Sequence, residues 1–173
     1  MSDFARHLRV DQIGDGRRLD FVADDAERGA IAKRLDLVSL DRLEAHAVLS
    51  PRGEGVRAEG RLAAVLVQRC VVTNDPVTAH IDEPFIIDFL PEPAASGPSD
   101  EEVELAADEL DVVFFDGAEI DLGAAIADTL ALSIDRFPRT AGADAALKEA
   151  GVMTEAEASP FAILAKLRGG GES

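Results

Sequence analysis

Cys70 is the only cysteine in the chain, and its thiol is a candidate nucleophile. A cysteine nucleophile reacts as the thiolate and needs a base, which only His7, His46 or His80 could supply. His46 and His80 fall on predicted strands of the same meander as Cys70, so a thiol–imidazole pair is compatible with the pattern. No glycine elbow flanks the cysteine, however, and no signature of a cysteine hydrolase surrounds it. We therefore interpret Cys70 as a buried residue at a strand end and predict no catalytic residue.

Metal and nucleotide sites find little support in the sequence. Structural zinc sites draw four ligands from close pairs of Cys and His, whereas this chain has 1 cysteine and 3 scattered histidines. A carboxylate site for Mg²⁺ or Ca²⁺ stays open as an alternative, although the stretch "DEEVELAADELD" lacks the glycine of a calcium loop. Neither glycine-rich phosphate-binding motif occurs. We therefore predict no metal and no cofactor.

The distribution of charge is the clearest signal. The chain carries 17 basic and 34 acidic side chains, for a net charge of −17. Residues 70–135 contain 17 of the acids and neither Lys nor Arg, whereas residues 1–69 contain 12 side chains of each sign. An acidic field of this kind repels phosphate backbones and attracts basic partners. The plainest interpretation is a solubilising surface with an acidic loop, and the sharper one is a docking surface for a basic protein.

Many of these acids lie in one segment, "PEPAASGPSDEEVELAADE", which spans residues 91–109. Its three prolines and its lack of bulky side chains predict an exposed, mobile loop at about 92–109. The acids of this loop are the candidate partner-binding residues: Asp100, Glu101, Glu102, Glu104, Asp108 and Glu109.

Direct binding of RNA is an alternative that would use the N-terminal arginines, of which Arg17 and Arg18 are the candidates. RNA-stacking platforms combine exposed aromatic rings with basic neighbours. The chain has no Trp and no Tyr, and its 8 Phe residues mostly lie in apolar runs typical of a core. A local basic patch is compatible with these residues, but a general affinity for nucleic acid is disfavoured by the charge.

The periodicity of apolar residues predicts the strands and helices on which the candidate residues lie. Alternation predicts half-buried strands, and apolar residues four apart predict helices that begin at the N-caps Asp24 and Asp121. The predicted strands are 4–10, 17–23, 42–49, 56–70, 77–91 and 110–115. A short helical stretch follows near 145–152, then an apolar motif around Phe161, and the C-terminus frays from about residue 168. The sum is one α+β domain over residues 1–173, an antiparallel meander or partly closed barrel-like sheet with packed helices.

The chain shows no sign of export or of membrane insertion. No apolar run of about 18 residues occurs. The N-terminal stretch "MSDFARHLRVDQIGDG" has no apolar core of a signal peptide. A single cysteine is typical of a reducing compartment. We therefore predict a cytoplasmic protein without a membrane partner.

The order of several motifs resembles the YceD family, the large ribosomal RNA subunit accumulation proteins. The motifs are "QRCVVTNDPV", "IDEPFIIDFLPE", "DGAEIDLGAAIADTLALSI" and "SPFAILAKL", and the likeness covers roughly 40–170. The best markers are Arg69-Cys70 after a strand, the helix start at Ile120-Asp121-Leu122, and "LALSIDRFP" in place of the family's usual Leu-Ala-Leu-Pro. The wording of "CVVTNDPV" and "PFAILAKL" is similar to the alphaproteobacterial branch.

The resemblance implies a cytoplasmic bacterial protein that is needed for normal accumulation of 23S ribosomal RNA. In bacteria the gene of the family commonly neighbours one for a large-subunit ribosomal protein. Many members carry a Cys-x-x-Cys pair at this strand, but here Val67 stands at the first position, and "FPRTAGAD" lacks the later cysteines. Only Arg69 and Cys70 match that motif, so the ligands of any metal site of the family are incomplete in this chain.

Three functions follow from these observations. The first is a non-catalytic factor in ribosome biogenesis that supports accumulation or processing of 23S ribosomal RNA by binding a basic ribosomal protein or a large-subunit ribonucleoprotein. The second is direct binding of ribosomal RNA through Arg17 and Arg18. The third is a cysteine-dependent hydrolase or nuclease that uses Cys70. The charge pattern favours the first.

Overall fold

The computed structural model describes residues 4–92 and 111–152, and it shows a mixed α+β fold. The described part contains a five-stranded sheet with the order β2-β3-β4-β5-β6 and a two-stranded sheet formed by β1 and β7. The strands are β1 (His7–Arg9), β2 (Arg17–Val22), β3 (Ser39–Arg52), β4 (Gly55–Arg69), β5 (Pro76–Pro91), β6 (Asp111–Phe115) and β7 (Glu119–Asp121). The α-helices are α1 (Asp25–Arg34), α2 (Leu122–Ser133) and α3 (Ala143–Glu149).

The described residues divide into two compact units. The first comprises residues 4–68, 78–92 and 111–136, and the second comprises residues 69–77 and 137–152. The first unit holds both sheets, α1 and α2, whereas the second holds the turn after β4 and α3. No helix in the described ranges is long and apolar enough to cross a membrane. The assignment of residues 1–173 to a single domain stays a prediction.

The sheet departs from the predicted antiparallel meander at one end. β2 pairs with β3 and β3 with β4 in antiparallel fashion, as predicted. β6, however, pairs with β5 in parallel, with Phe89 opposite Val113. A parallel pair requires a crossover connection of a dozen or more residues, whereas an antiparallel pair can be joined by a short hairpin. The connection between these strands, residues 92–110, is long enough for such a crossover. The sheet as described is open, with β2 and β6 at its edges, so the barrel-like closure is not confirmed.

Both helix starts confirm their predicted caps. The carboxylate of Asp24 accepts from the N–H of Glu27, and the Glu27 side chain accepts in return from the N–H of Asp24. Asp121 caps α2 by accepting from the N–H of Ala124 at 3.1 Å. The same carboxylate accepts from the N–H of Arg6 at 2.8 Å. This long-range bond fixes the chain just before β1, whose pairing with β7 was not predicted.

Alternation along the strands separates two faces of the five-stranded sheet. The inner face is buried and apolar: Leu43, Ala45, Ala47 and Leu49 on β3, Leu62, Ala64 and Leu66 on β4, and Phe85, Ile87 and Phe89 on β5. The core approaches Gly60 so closely that a Cβ there would lie 2.7 Å from the Cζ of Phe85. The residues between these positions form the opposite face, termed the outer face, which carries most of the charged side chains of the strands.

Candidate functional site

Cys70 lies directly after β4 and is 3% exposed. Its backbone is held by a tight turn, because its N–H donates to the carbonyl of Asp75 at 2.8 Å and its carbonyl accepts from the N–H of Asn74 at 2.9 Å. Asn74 has a φ of 63°, in the left-handed region that asparagine tolerates better than most residues. The predicted place of Cys70, buried at a strand end, is therefore confirmed.

The sulfur of Cys70 accepts several hydrogen bonds within the second unit. The N–H of Thr73 and the N–H of Thr140 each lie 3.4 Å from Sγ, and the hydroxyl of Thr140 lies 3.7 Å away. Hydrogen bonds to the charged form favour the thiolate. The pKa of the Cys70 thiol falls from its usual 9.0 to about 6, first through the hydroxyl of Thr73 and then through its N–H, with smaller contributions from the N–H groups of Thr140 and Val72, although burial acts in the opposite direction.

This arrangement stabilises a thiolate, and the described residues bring no general base to it. The donors that reach the sulfur among the described residues are those of Thr73 and Thr140 and the N–H of Val72, and in the same part of the chain no group of three or more His, Cys, Asp or Glu is placed to hold a metal ion. His46 bonds instead to Asp20, at 2.6 Å from Nδ1 to the carboxylate. Arg69, the other residue of the family motif, is exposed, as expected for a strand neighbour of a buried residue.

The two arginines proposed for RNA binding point in different directions. Arg18 is exposed on the outer face of β2, whereas Arg17 is half-buried and donates to the carbonyl of Gln12 at 3.2 Å. Neighbouring residues of a strand face opposite sides of a sheet, so the pair cannot present a shared cationic surface. The structure therefore places only Arg18 on the face where the other strand arginines lie.

Those strand arginines are matched by carboxylates across the outer face. Arg57 makes a bidentate pair with Asp88, with distances of 2.7 and 2.6 Å. Arg61 pairs with Asp82, and this contact lowers the pKa of that carboxyl. The remaining matched pairs are Arg42 with Glu44 and Arg52 with Asp88. Four arginines of the central strands thus share three carboxylates, Glu44, Asp82 and Asp88.

Three carboxylates near β6 have no such partner among the described residues. Asp111 begins β6 and Asp116 follows it, and both are exposed, as is Glu92 after β5. None of the three makes an ion pair with a described residue. They were not singled out from the sequence alone, although they belong to residues 70–135, the cation-free stretch, which contains no Lys or Arg. The six acids predicted to bind a partner lie outside the described residues: Asp100, Glu101, Glu102, Glu104, Asp108 and Glu109.

Two surface grooves lie in the first unit. A groove of about 570 Å³ runs between α1 and the start of β3, and its charged residues are Asp25, Arg28, Lys33 and Asp41. A second, of about 270 Å³, lies along the row that pairs Asp20 with His46 and Arg61 with Asp82. Both are lined by charged side chains of opposite sign, and neither contains a cysteine or a serine beside His46 that could act as a nucleophile. They offer polar contacts without a constellation for covalent catalysis.

Comparison with known proteins gives one match. A family model described as "Large ribosomal RNA subunit accumulation protein YceD" matches residues 58–168. Within the described part, this range contains nearly all of β4 and every later element, including Arg69 and Cys70. Arg17 and Arg18 lie before it. A search of curated proteins and a search of solved structures each gave no significant match.

Proposed function

The chain belongs to the YceD family, and on that premise we propose that it is a non-catalytic cytoplasmic factor for the large ribosomal subunit. It supports accumulation or processing of 23S ribosomal RNA by binding a basic ribosomal protein or a large-subunit ribonucleoprotein. The description of the family concerns large-subunit ribosomal RNA. The mode of action is inferred from this chain's own charges.

The observation that carries the proposal is the contrast in charge pairing. Four strand arginines of the outer face, Arg42, Arg52, Arg57 and Arg61, contact carboxylates, whereas Glu92, Asp111 and Asp116 have no described cationic partner. Residues 70–135 contribute no Lys or Arg that could neutralise them. An excess of unpaired acid favours a cationic protein surface over a phosphate backbone.

Electrostatic attraction of this kind accelerates encounter and weakens with salt. At physiological ionic strength, exposed charges are screened beyond about 8 Å, so binding should be tighter at low salt. A ribosomal protein that carries exposed basic side chains would suit such capture before it reaches the RNA. The acidic chain would shield their charge during that interval.

The proposal is tested by affinity capture of large-subunit components with the tagged protein. Residues 94–109 are replaced by a neutral Gly-Ser segment of equal length. The matched control keeps the composition of that segment but scrambles its order, so the charge is unchanged. We expect the neutral variant to recover less basic large-subunit protein at low salt and the scrambled control to recover the wild-type amount. Unchanged recovery by the neutral variant would reject a role for this segment.

Direct RNA binding through Arg17 and Arg18 has weaker support, because these side chains face opposite sides of β2. It predicts a gel shift with fragments of ribosomal RNA that is lost when both arginines are replaced by alanine. The absence of a shift for the wild-type protein at low salt would dismiss it.

A cysteine-dependent hydrolase is the remaining alternative. It needs a base near Cys70, and threonine donors occupy the described surroundings of the sulfur. Cys70→Ser should then abolish function in cells while the protein remains folded. Normal levels of 23S ribosomal RNA in cells with this variant would end the hypothesis.

A further inference from the structure

The outer face becomes apolar and exposed at its β6 edge. Val112 and Phe114 on β6 are 37% and 57% exposed, and Ile86 and Leu90 on β5 are 38% and 36% exposed. These four residues are termed the apolar strip. Leu90 lies opposite Phe114 in the register of the two strands, so the side chains are neighbours on one face. Contiguous exposed apolar side chains of this kind mark interaction surfaces more often than isolated ones do.

A single carboxylate within the strip does not interrupt it. Asp88 lies opposite Val112 and between Ile86 and Leu90. Its oxygens are engaged by Arg57 in a bidentate pair, and only 16% of its side chain is exposed. The pair removes the need for a further cation at this position. The strip therefore presents carbon atoms rather than an unsatisfied charge.

β6 also offers backbone groups along its outer edge. It is the last strand of the described sheet. The carbonyl of Phe115 accepts from the N–H of Glu92, on the β5 side. Because the N–H and C=O of one residue point to the same edge and alternate along a strand, Val112 and Phe114 direct theirs to the other edge. A polypeptide strand is the natural partner for such a row of donors and acceptors.

The surrounding charge selects among strands. Asp111 lies at the start of β6 and Asp116 directly after its end, and Glu92 lies beside Phe115. A second copy of β6 would bring its own acids against these and would contribute no cation. A strand with Lys or Arg at its ends would meet complementary charge at both. Nucleic acid would be repelled by the same carboxylates.

We propose that β6 accepts a basic partner segment by strand addition, with apolar residues of that segment packing on the apolar strip. The inference deepens the proposed function, on which it rests, by naming where and in which conformation the basic partner binds. The added strand forms hydrogen bonds with the outward groups of Val112 and Phe114. Its apolar side chains cover the ring of Phe114, and its flanking cations pair with Asp111 and Asp116.

The test uses the full chain and a short synthetic peptide of alternating lysine and valine as the probe. Affinity is measured by fluorescence anisotropy for the wild type, for Phe114→Ser, and for the control Val22→Ser. Val22 is a matched position, because it is 65% exposed on the outer face of the opposite edge strand, β2. Circular dichroism establishes that both variants are folded.

The peptide is also prepared with alternate backbone nitrogens methylated, which keeps its charge and side chains but removes donors that strand addition needs. We expect Phe114→Ser and the methylated peptide each to weaken binding about tenfold, and Val22→Ser to leave it unchanged. Amide exchange should slow at Val112 and Phe114 when the unmodified peptide is bound.

Equal binding by the wild type and Phe114→Ser, or equal binding of the methylated peptide, would overturn the proposal. Self-association of the wild type that is lost in Phe114→Ser would also overturn it, because β6 would then bind a second copy of the chain. A loss of ribosomal RNA binding in that variant would equally overturn it. If Phe114→Ser still captures basic large-subunit proteins in a salt-sensitive manner, strand addition fails while the proposed function stands.

Discussion

The turn around Cys70 and the β6 edge are opposite in how far their polar groups are satisfied. At Cys70 the backbone N–H, the carbonyl and the sulfur all have partners within the second unit. At the β6 edge, in the first unit, Asp111 and Asp116 have no described ion-pair partner, and Phe114 is largely exposed. The reactive thiol of Cys70 is buried, whereas β6, which carries no reactive side chain, lies at the edge of the described sheet with Phe114 exposed.

The chemical type of a side chain therefore does not by itself locate a binding site. Satisfied groups contribute to the fold, because removing one partner leaves the other buried and unpaired. Exposed apolar side chains and unpaired charges can still gain free energy from a partner. The two regions should therefore respond differently to substitution, one in stability and the other in binding.

The largest contrast is expected between two phenylalanines on adjacent strands. Phe89 on β5 is 1% exposed and points to the inner face, so Phe89→Ala should lower the free energy of unfolding by about 3–5 kcal/mol. Phe114 on β6 is 57% exposed, and Phe114→Ala should change it by about 0.5 kcal/mol or less. Denaturant titration measures both. Similar losses would mean that Phe114 belongs to the core and that the β6 edge is not open.

A smaller contrast is expected between two aspartates of the cation-free stretch. Asp121 accepts from the N–H groups of Arg6 and Ala124, so Asp121→Ala should lower the free energy of unfolding by about 1–2 kcal/mol. Asp116→Ala removes the same charge from an exposed position and should cost about 0.5 kcal/mol or less. Thermal denaturation compares them at equal net charge. Equal losses would place Asp116 among the structural acids.

The smallest change is expected in the titration of Cys70. Thr73→Val removes the hydroxyl that contributes most to the lowered thiol pKa, while the N–H groups of Thr73 and Thr140 remain. The pKa should therefore rise from about 6 toward its usual 9.0. Ultraviolet absorbance of the thiolate follows the titration. Thr129→Val is the control, since its hydroxyl donates to the carbonyl of Ala125 in α2. An unchanged titration midpoint in Thr73→Val would show that the Thr73 hydroxyl does not lower the pKa of Cys70.

The same titration sets the sign of the pH dependence of stability. The folded thiol has a pKa of about 6, below its usual 9.0, so the unfolded chain binds more protons between these values. Stability from this group is therefore fully present above pH 9 and is lost as the pH falls toward 6. Cys70→Ser should remove that slope. A slope that persists in the variant would assign it to other groups.

Much of the local structure could be read from the sequence because its causes are local. The capping pair Asp24 and Glu27 and the cap at Asp121 act within one helical turn, and both helices begin where predicted. Alternation located the long strands, and it put Cys70 at the end of β4. The charge imbalance of residues 70–135 and the family motifs needed no coordinates.

Register and strand order could not be read in this way, since they depend on residues far apart in the chain. The parallel pairing of β6 with β5 follows a long connection whose path no local pattern specifies. The pairing of Arg57 with Asp88, and the separation of Arg17 from Arg18, became visible only with the two faces of the sheet. Sequence reasoning had assigned partner binding to the acids of residues 100–109 and gave no special place to β6.

By itself the sequence determined most of the elements and the excess of acid, because composition and short-range periodicity carry them, and the order of its motifs carried the resemblance to the family. The tertiary structure alone decided which charges are neutralised and which apolar side chains stay exposed. Those outcomes depend on contacts between strands, and a one-residue change of register would exchange the faces.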